Sequence, residues 1–273
     1  MAGPSAANDA VSRIRRFYKT AEVASLAEGF GVNLDGRSVK TPAKTVLALP
    51  TRAAAELVAA EWEAQGEHID FARMPATRHA FTAIDRVAVT RAEVAKEIAR
   101  YAAADLICYF ADQPESLVER QLGQWGPVLD WALTHEGLVF VRATGVSYQA
   151  QPAETLARME AAALALDDFH LAALAFAGAL FGSSILALAV LRGRLAAREA
   201  FDLARIDEAR PQALGGLRPA GHRVAQPIGR LAPLVTGSDV AGEERIARAD
   251  RGDGLARLDP HAVQDRLVLE RHA

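Results

Sequence analysis

The chain lacks several features that would assign it to a specialised class of protein. It has a single cysteine, Cys108, among 273 residues, which excludes an internal disulfide and a zinc site built from several thiolates. Lysine and arginine form no block interleaved with aromatic residues, and the formal net charge is -3, so we expect no nucleic-acid partner. Residues 1–10 contain neither an apolar nor a basic segment. We therefore expect no secretory signal and a cytoplasmic location, or the mitochondrial matrix if the source is eukaryotic.

Motifs for catalysis and cofactor binding are also missing. The seven histidines show no metal-binding spacing, and no two of them share a helical face. Gly29 and Gly31 form a lone Gly-x-Gly with no third glycine, and no P-loop pattern occurs. Ser183 and Ser184 lack the second glycine and the preceding strand of a nucleophile elbow. Cys108 has apolar neighbours, which is typical of an inert core thiol. We predict no catalytic residue, no cofactor and no metal site.

One uncharged stretch reaches the length that crosses a bilayer. It lies between His170 and Arg192, so a membrane span is one interpretation. Gly182 followed by Ser183 interrupts the stretch in its middle, which is the pattern of a helix end and a new helix start. We therefore predict a buried helical hairpin and no stable membrane insertion.

Strand signals dominate the first part of the chain. Residues 30–34 and 38–41 flank Asp35-Gly36, whose glycine can take the positive φ of a tight hairpin turn. Residues 46–49 supply a further strand with the same apolar character. These patterns predict a small β-rich unit near the N-terminus.

Helix signals dominate the remainder. Thr51 is placed to cap a helix that closes at Gly66, and Pro75 opens the next. Thr90 with Glu93 forms a capping box for a third helix. Later helices are predicted from residue 114 and at about residues 153–166, 171–180, 183–191 and 196–208, with a strand or loop at 138–146.

These elements predict an α+β fold, with a small β-rich N-terminal domain followed by a larger mainly α-helical domain. We place a disordered N-terminus at residues 1–12, the β-rich domain with one helix at 13–75, and the helical domain at 76–208. Residues 209–273 form an atypical tail that contains no aromatic residue, Cys, Met or Lys. Because it offers no anchor for a core, we expect weak or irregular structure there.

Several short segments occur in the order in which a known family carries them. In chain order they are Arg16-Phe17-Tyr18-Lys19, Leu34-Asp35-Gly36-Arg37, Lys40-Thr41-Pro42, Leu49-Pro50-Thr51, Glu61-Trp62-Glu63-Ala64-Gln65, Met74-Pro75, Thr82-Ala83-Ile84-Asp85, Asp105-Leu106-Ile107-Cys108-Tyr109, Gln121 with Trp125 and Pro127, Thr144-Gly145-Val146, and Gly182-Ser183 before Leu186-Ala187-Leu188-Ala189. Together they resemble the Atp12-type assembly chaperones of the alpha subunit of ATP synthase, in a bacterial member. None is a catalytic signature, and the shared order over residues 16–208 makes the resemblance specific.

The resemblance implies binding without turnover. Members of that family hold the free alpha subunit of the F1 sector and shield the surface that beta subunits later cover. An unpaired obligate interface is large and apolar, and therefore prone to aggregation. The implied protein is a non-enzymatic chaperone, and we expect it to be a monomer. The alternative is a small-molecule enzyme of unrecognised type, which would need a pocket of ionisable residues with shifted pKa values.

Two pairs of residues are candidates for contact with a partner. The family pattern has an acidic cluster at the end of the predicted helix 196–208, and Asp207 and Glu208 match its first positions. The alternative is that these acids form a solvated helix end. Glu61 and Trp62 could form a second partner-binding patch, because tryptophan is enriched at binding hot spots. The alternative there is a core Trp62 beside a solvated Glu61.

The resemblance ends abruptly after the acidic pair. The family continues with an aromatic residue and a glutamine, then a Trp-Gly pair and a further helix, whereas this chain reads Ala209-Arg210-Pro211-Gln212. A shifted reading frame in GC-rich DNA would produce such a change, and a genuinely divergent extension is the alternative. We hypothesise the shifted frame, which related chains sharing this tail would contradict.

Overall fold

The structure is a computed structural model that describes residues 14–145 and 147–207. Three strands open the described chain: β1 (Ala21–Ser25), β2 (Phe30–Leu34) and β3 (Arg37–Ser38). They form one antiparallel sheet in the order β1-β2-β3. The expectations for residues 1–12, for Glu208 and for the tail 209–273 lie outside the described residues.

The predicted hairpin turn is confirmed. Asp35 and Gly36 connect β2 to β3 with φ angles of 47° and 80°, so both residues of the turn adopt left-handed backbone conformations. Such a two-residue turn matches the right-handed twist of the strands that it joins.

The strands predicted over residues 38–41 and 46–49 are formed only in part. β3 ends at Ser38, and the remainder is held by isolated bridges between Lys40 and Val46 and between Phe30 and Leu49. Leu49 donates from its amide to the Phe30 carbonyl at 2.7 Å and accepts from the Phe30 amide at 2.9 Å. The irregular path 39–51 therefore covers the edge of β2 without forming a long strand.

Eight α-helices lie in the described part of the chain, and the predicted helices are all present with different ends. They are α1 (Arg52–Glu63), α2 (Pro75–Asp85), α3 (Arg91–Ala102), α4 (Glu115–Glu136), α5 (Ala153–Leu164), α6 (Asp168–Phe181), α7 (Ser184–Leu191) and α8 (Ala197–Leu203). Two short strands, β4 (Tyr109–Phe110) and β5 (Ala143–Thr144), pair in parallel before and after α4.

The predicted start of α1 is confirmed, whereas the predicted capping box of α3 is wrong. The Thr51 hydroxyl accepts from the Ala54 amide at 3.2 Å, which satisfies one of the free amides at the beginning of α1. Thr90 precedes α3 but makes no such bond, because its hydroxyl donates to the Arg86 carbonyl at 2.9 Å. α1 also ends at Glu63, before Gly66.

The predicted helical hairpin is confirmed. α6 ends at Phe181, and Gly182, whose φ is 64°, follows it in the left-handed conformation of a glycine cap. The Ser183 hydroxyl then accepts from the Leu186 amide at 3.0 Å and caps α7. Among the described helices, none combines the length and the apolar character that a membrane crossing requires.

Two hydrophobic cores hold these elements together. The first packs the sheet against α1 and includes Trp62, and the second fills the helical part and includes Trp125. α2 contributes to both, since Phe81 lies in the first core and Ala83 in the second. The α+β fold class is confirmed, and the domain division at residues 75/76 stays a prediction.

Candidate functional site

The end of α8 carries the first candidate pair. The helix stops at Leu203, so the predicted extension to residue 208 is wrong. The indole Nε1 of Trp125 donates to the Leu203 carbonyl at 2.9 Å, and the amide of Ile206 points to the same oxygen at 3.4 Å. These donors satisfy the carbonyl that an α-helix would bond to the amide of residue 207. Asp207 therefore follows the end of α8 and is not part of the helix.

Asp207 is exposed, and a buried amide holds its side chain. Gln121 on α4 is 1% exposed, and its Nε2 donates to Asp207 Oδ1. The Oε1 of the same amide accepts from the Ala111 backbone at 2.7 Å, which fixes the orientation of the side chain. Asp207 thus presents a carboxylate whose position the fold determines, while Glu208 lies outside the described residues.

Sequence reasoning did not give Gln121 this role. The resemblance marked Gln121 and Trp125 as matching positions but assigned neither a function. Their spacing of four residues places them on one face of α4, and only the packing of α8 against that face shows what they bond to.

Replacing Gln121 by leucine is expected to lower the free energy of unfolding by about 1–2 kcal/mol, because the partly buried amide of Ala111 loses its acceptor. Gln124→Leu is the matched control, since Gln124 is exposed on the same helix and should change stability by less than about 0.5 kcal/mol. Urea denaturation of both variants measures the difference. Equal changes in unfolding free energy for the two variants would show that the Gln121 amide makes no net contribution to stability.

The carboxylate of Glu61 caps the beginning of α2. Its carboxylate accepts from the amides of Ala76 and Thr77 and from the Thr77 hydroxyl, each at 2.7 Å. These amides belong to the first turn of α2, which lacks a cap from its own preceding residue. A carboxylate at that position satisfies free amides and interacts favourably with the helix dipole. Glu61 is therefore not the solvated acid of the alternative interpretation.

Trp62 lies in the first core. Its side chain is 1% exposed and makes edge-to-face contacts with Tyr18 and Phe71, with ring centroids 5.7 and 6.0 Å apart. This is the core position that the alternative interpretation gave it. A surface patch of Glu61 and Trp62 is not formed in the described residues, and contact of either with a partner stays a prediction.

Two of the matching sequence segments form one structural unit. The Arg16 guanidinium donates to the carbonyls of Tyr18 at 3.1 Å, Lys19 at 2.8 Å and Gln65 at 2.6 Å. The Tyr18 hydroxyl donates to the Trp62 carbonyl at 2.6 Å, and burial raises the pKa of Tyr18 to about 12. Segments 16–19 and 61–65 are therefore tied together at the end of α1, and their resemblance to the family reflects folding more directly than binding.

A buried acid lies where α3, α6 and α7 meet. Asp105 is 0% exposed and accepts from the amides of Ile107 at 3.3 Å and Ile185 at 3.1 Å. Burial raises its pKa to about 7 although the hydrogen bonds oppose that change. Cys108 is also fully buried, and burial with the nearby Asp105 raises the pKa of its thiol. Asp105 thus serves as a cap for the beginning of α7.

No group of three or more His, Cys, Asp or Glu residues that could hold a metal ion is found among residues 14–145 and 147–207. The three groups described above whose pKa values are raised, Tyr18, Asp105 and Cys108, are all buried. Asp207 is an exposed carboxylate held by a buried side chain, and a charge in a fixed position suits contact with a partner of opposite charge.

Known proteins resemble this chain over most of its length. The family model described as ATP12 chaperone protein matches residues 15–133. Atp12 from Paracoccus denitrificans is 36% identical with a TM-score of 0.68, over 86% of this chain and 96% of that one. A variant of that protein with one aspartate replaced by lysine gives the same values. Atu1473 from Agrobacterium tumefaciens, a proposed chaperone, is 38% identical with a TM-score of 0.67, over 86% of this chain and 81% of that one. The chain therefore belongs to the ATP12 chaperone family.

Proposed function

We propose that this protein is a non-enzymatic assembly chaperone for the F1 sector of ATP synthase. It binds the unassembled alpha subunit and prevents its aggregation. Membership of the ATP12 chaperone family supports the chaperone role. The choice of client follows from the sequence resemblance, and the physical need is the large apolar interface that a free subunit exposes.

The observation that carries the proposed site is the carboxylate of Asp207, which the buried Gln121 holds at the surface. A charge of fixed position gives specificity for a complementary charge on a partner and costs little ordering on binding. Glu208 follows it in the sequence and adds a second negative charge. We propose that both contact a cationic group of the alpha subunit.

The remaining properties of the proposed chaperone follow the sequence analysis. It acts in the cytoplasm as a monomer, or in the mitochondrial matrix of a eukaryote, and binds no nucleic acid. Light scattering of the purified chain measures the oligomeric state, and a stable dimer would contradict that part of the proposal.

The test is co-purification of the tagged chain with alpha and beta subunits expressed separately. The wild type is compared with an Asp207→Lys/Glu208→Lys variant. The matched control is Asp202→Lys, which reverses an exposed acid of α8 that pairs with Arg198 one turn away. We expect the wild type and the control to retain alpha alone, and the double variant to lose at least tenfold in affinity, equivalent to about 1.4 kcal/mol.

Each outcome bears on a different part of the proposal. Equal retention of the alpha subunit by all three chains would support the chaperone function and show that Asp207 and Glu208 are not the binding site. Retention of beta in place of alpha would make the proposed client wrong. No retention by a wild-type chain whose circular dichroism shows a folded protein would contradict the proposed function itself.

A further inference from the structure

Asp207 is attached to the body of the protein both through its side chain and through the backbone that precedes it. Gln121 Nε2 donates to Asp207 Oδ1. Ile206, the preceding residue, is 4% exposed and lies in the second core. The carboxylate of Asp207 is therefore exposed without lying on a loose end of the described chain.

The side chain that holds Asp207 is itself immobilised. Gln121 is 1% exposed, and its Oε1 accepts from the Ala111 amide at 2.7 Å. Since the oxygen and the NH₂ group of a glutamine amide lie in one plane, fixing the oxygen also fixes the direction in which Nε2 donates. Ala111 directly follows β4, whose Phe110 makes an edge-to-face contact with Trp125, with ring centroids 5.8 Å apart. A helix and a strand, which place groups more precisely than loops do, therefore support Asp207.

A second side chain of α4 fixes the same segment at its beginning. Trp125 is 0% exposed and lies one turn after Gln121 on the same face of α4. Its indole Nε1 donates to the Leu203 carbonyl at 2.9 Å. The bonds from Trp125 and Gln121 thus hold both ends of the segment 203–207, and α4 determines the path of the chain from α8 to Asp207.

The two ends of the Gln121 amide have separable effects. The bond from Ala111 to Oε1 satisfies a backbone donor and stabilises the fold. The bond from Nε2 to Asp207 holds an exposed carboxylate in one place before any partner arrives. Immobilising a mobile side chain in a complex lowers the affinity roughly twofold to tenfold. A carboxylate that is already held avoids that loss.

We infer that Gln121 is a positioning residue for the acidic site. At 1% exposure it cannot contact a client, and it raises the affinity by holding the carboxylate of Asp207 in place. This inference rests on the proposed function, in which Asp207 contacts a cationic group of the alpha subunit. It adds a buried residue of α4 to the groups on which that contact depends.

The test is a double-mutant cycle in the affinity for the alpha subunit, which isolates the coupling between two residues. The chains are the wild type, Gln121→Met, Asp207→Ala and the double variant. Methionine is a good helix former of similar length that donates no hydrogen bond. We expect Gln121→Met to weaken binding roughly threefold to tenfold in the wild type. In the Asp207→Ala chain it should change binding by less than about twofold, because no carboxylate remains to be held.

Gln151→Met is the matched control for lost stability. Gln151 is 7% exposed, and its amide accepts from the Val141 amide at 2.8 Å and donates to the Val141 carbonyl at 3.0 Å. This substitution also removes a buried glutamine that bonds the backbone, so it should cost comparable stability. We expect it to change the affinity for the alpha subunit by less than about twofold. Urea denaturation and circular dichroism of every chain verify folding.

A second measurement begins with the unmodified chain. The heteronuclear NOE of the Asp207 backbone amide reports its picosecond-to-nanosecond motion in the absence of client. We expect a value as high as that of Leu203 in α8, because bonds from α4 hold both residues. In Gln121→Met the value at Asp207 should fall while that at Leu203 stays. A low value at Asp207 in the wild type would overturn the inference even if Gln121→Met did not fold.

The outcomes separate this inference from the proposed function. Equal weakening by Gln121→Met with and without Asp207, or equal weakening by Gln151→Met, would show that lost stability is the cause and would overturn the inference. Wild-type affinity of Gln121→Met, beside weaker binding of Asp207→Ala, would overturn it and leave the chaperone function standing. If Asp207→Ala binds as tightly as the wild type, the acidic site and its positioning both fail. No binding by the folded wild type would contradict the proposed function and this inference with it.

Discussion

Replacing Trp62 by alanine is expected to lower the free energy of unfolding by about 3–5 kcal/mol, the usual cost of truncating a buried aromatic side chain. The indole is 1% exposed and fills the space between Tyr18 and Phe71. Its loss therefore opens a cavity between the sheet side of the first core and α1, which the surrounding side chains can fill only in part. Urea denaturation at neutral pH measures the effect.

Two control variants sharpen this prediction. Leu57→Ala truncates an exposed side chain on the same helix and should cost less than about 0.5 kcal/mol. Trp62→Phe should cost clearly less than Trp62→Ala, because phenylalanine refills much of the cavity and the indole Nε1 has no hydrogen-bond partner among the described residues. A Trp62→Ala variant of nearly wild-type stability with weakened client binding would instead support the predicted partner-binding patch of Glu61 and Trp62.

Replacing Asp105 by alanine is expected to lower the free energy of unfolding by about 2–4 kcal/mol at pH 5.5. The substitution leaves the amides of Ile107 and Ile185 without an acceptor in the core, and each unsatisfied buried donor costs about 1–3 kcal/mol. Asp112→Ala, which removes an exposed acid nearby in the sequence, is the control and should be nearly neutral. A similarly small effect at Asp105 would mean that water replaces the carboxylate.

The same residue makes stability depend on pH with a defined sign. The pKa of Asp105 is about 7 in the folded protein, against 3.8 ordinarily. Between these values the folded chain keeps a proton that the unfolded chain has lost, so this group's contribution to stability falls as the pH rises from about 4 to about 7. It changes little above pH 7.

Asp105→Asn tests this dependence because asparagine keeps the shape and does not titrate. The unfolding free energy of the wild type minus that of the variant should fall as the pH rises from 5 to about 7 and change little from there to 8. Urea denaturation at each pH measures it. The difference between chains is the useful quantity, because burial also lowers the pKa of His79, and the contribution of His79 is common to both chains. A difference that is constant with pH would contradict the raised pKa of Asp105.

Local signals in the sequence predicted the places where the chain turns. Gly36 and Gly182 both adopt positive φ, a conformation that costs glycine little, and so a glycine between two periodic segments predicts a turn or helix end. Thr51 and Ser183 cap helices through their own hydroxyls. Donor and acceptor in each of these interactions lie within a few residues of each other, so the local sequence is sufficient to predict them.

The sequence predictions that proved wrong concern backbone or side-chain atoms that bond to a residue distant in the sequence. α8 ends at Leu203 because Trp125, from a helix far away in the sequence, donates to the carbonyl that would have continued it. Glu61 looked like a surface acid because its partners, Ala76 and Thr77, follow about fifteen residues later, after a turn that no local pattern predicts.

By itself the sequence determined the α+β fold class, the hairpin of α6 and α7 and the likeness to the ATP12 chaperone family, because periodicity, turn residues and ordered motifs are all properties of short stretches. The packing of the folded chain settled that Trp62 lies in the core, that Asp105 is buried, and that Gln121 holds Asp207 at the surface. These facts depend on which elements pack together, and packing depends on contacts between residues distant in the sequence, such as Gln121 and Asp207, which lie 86 positions apart.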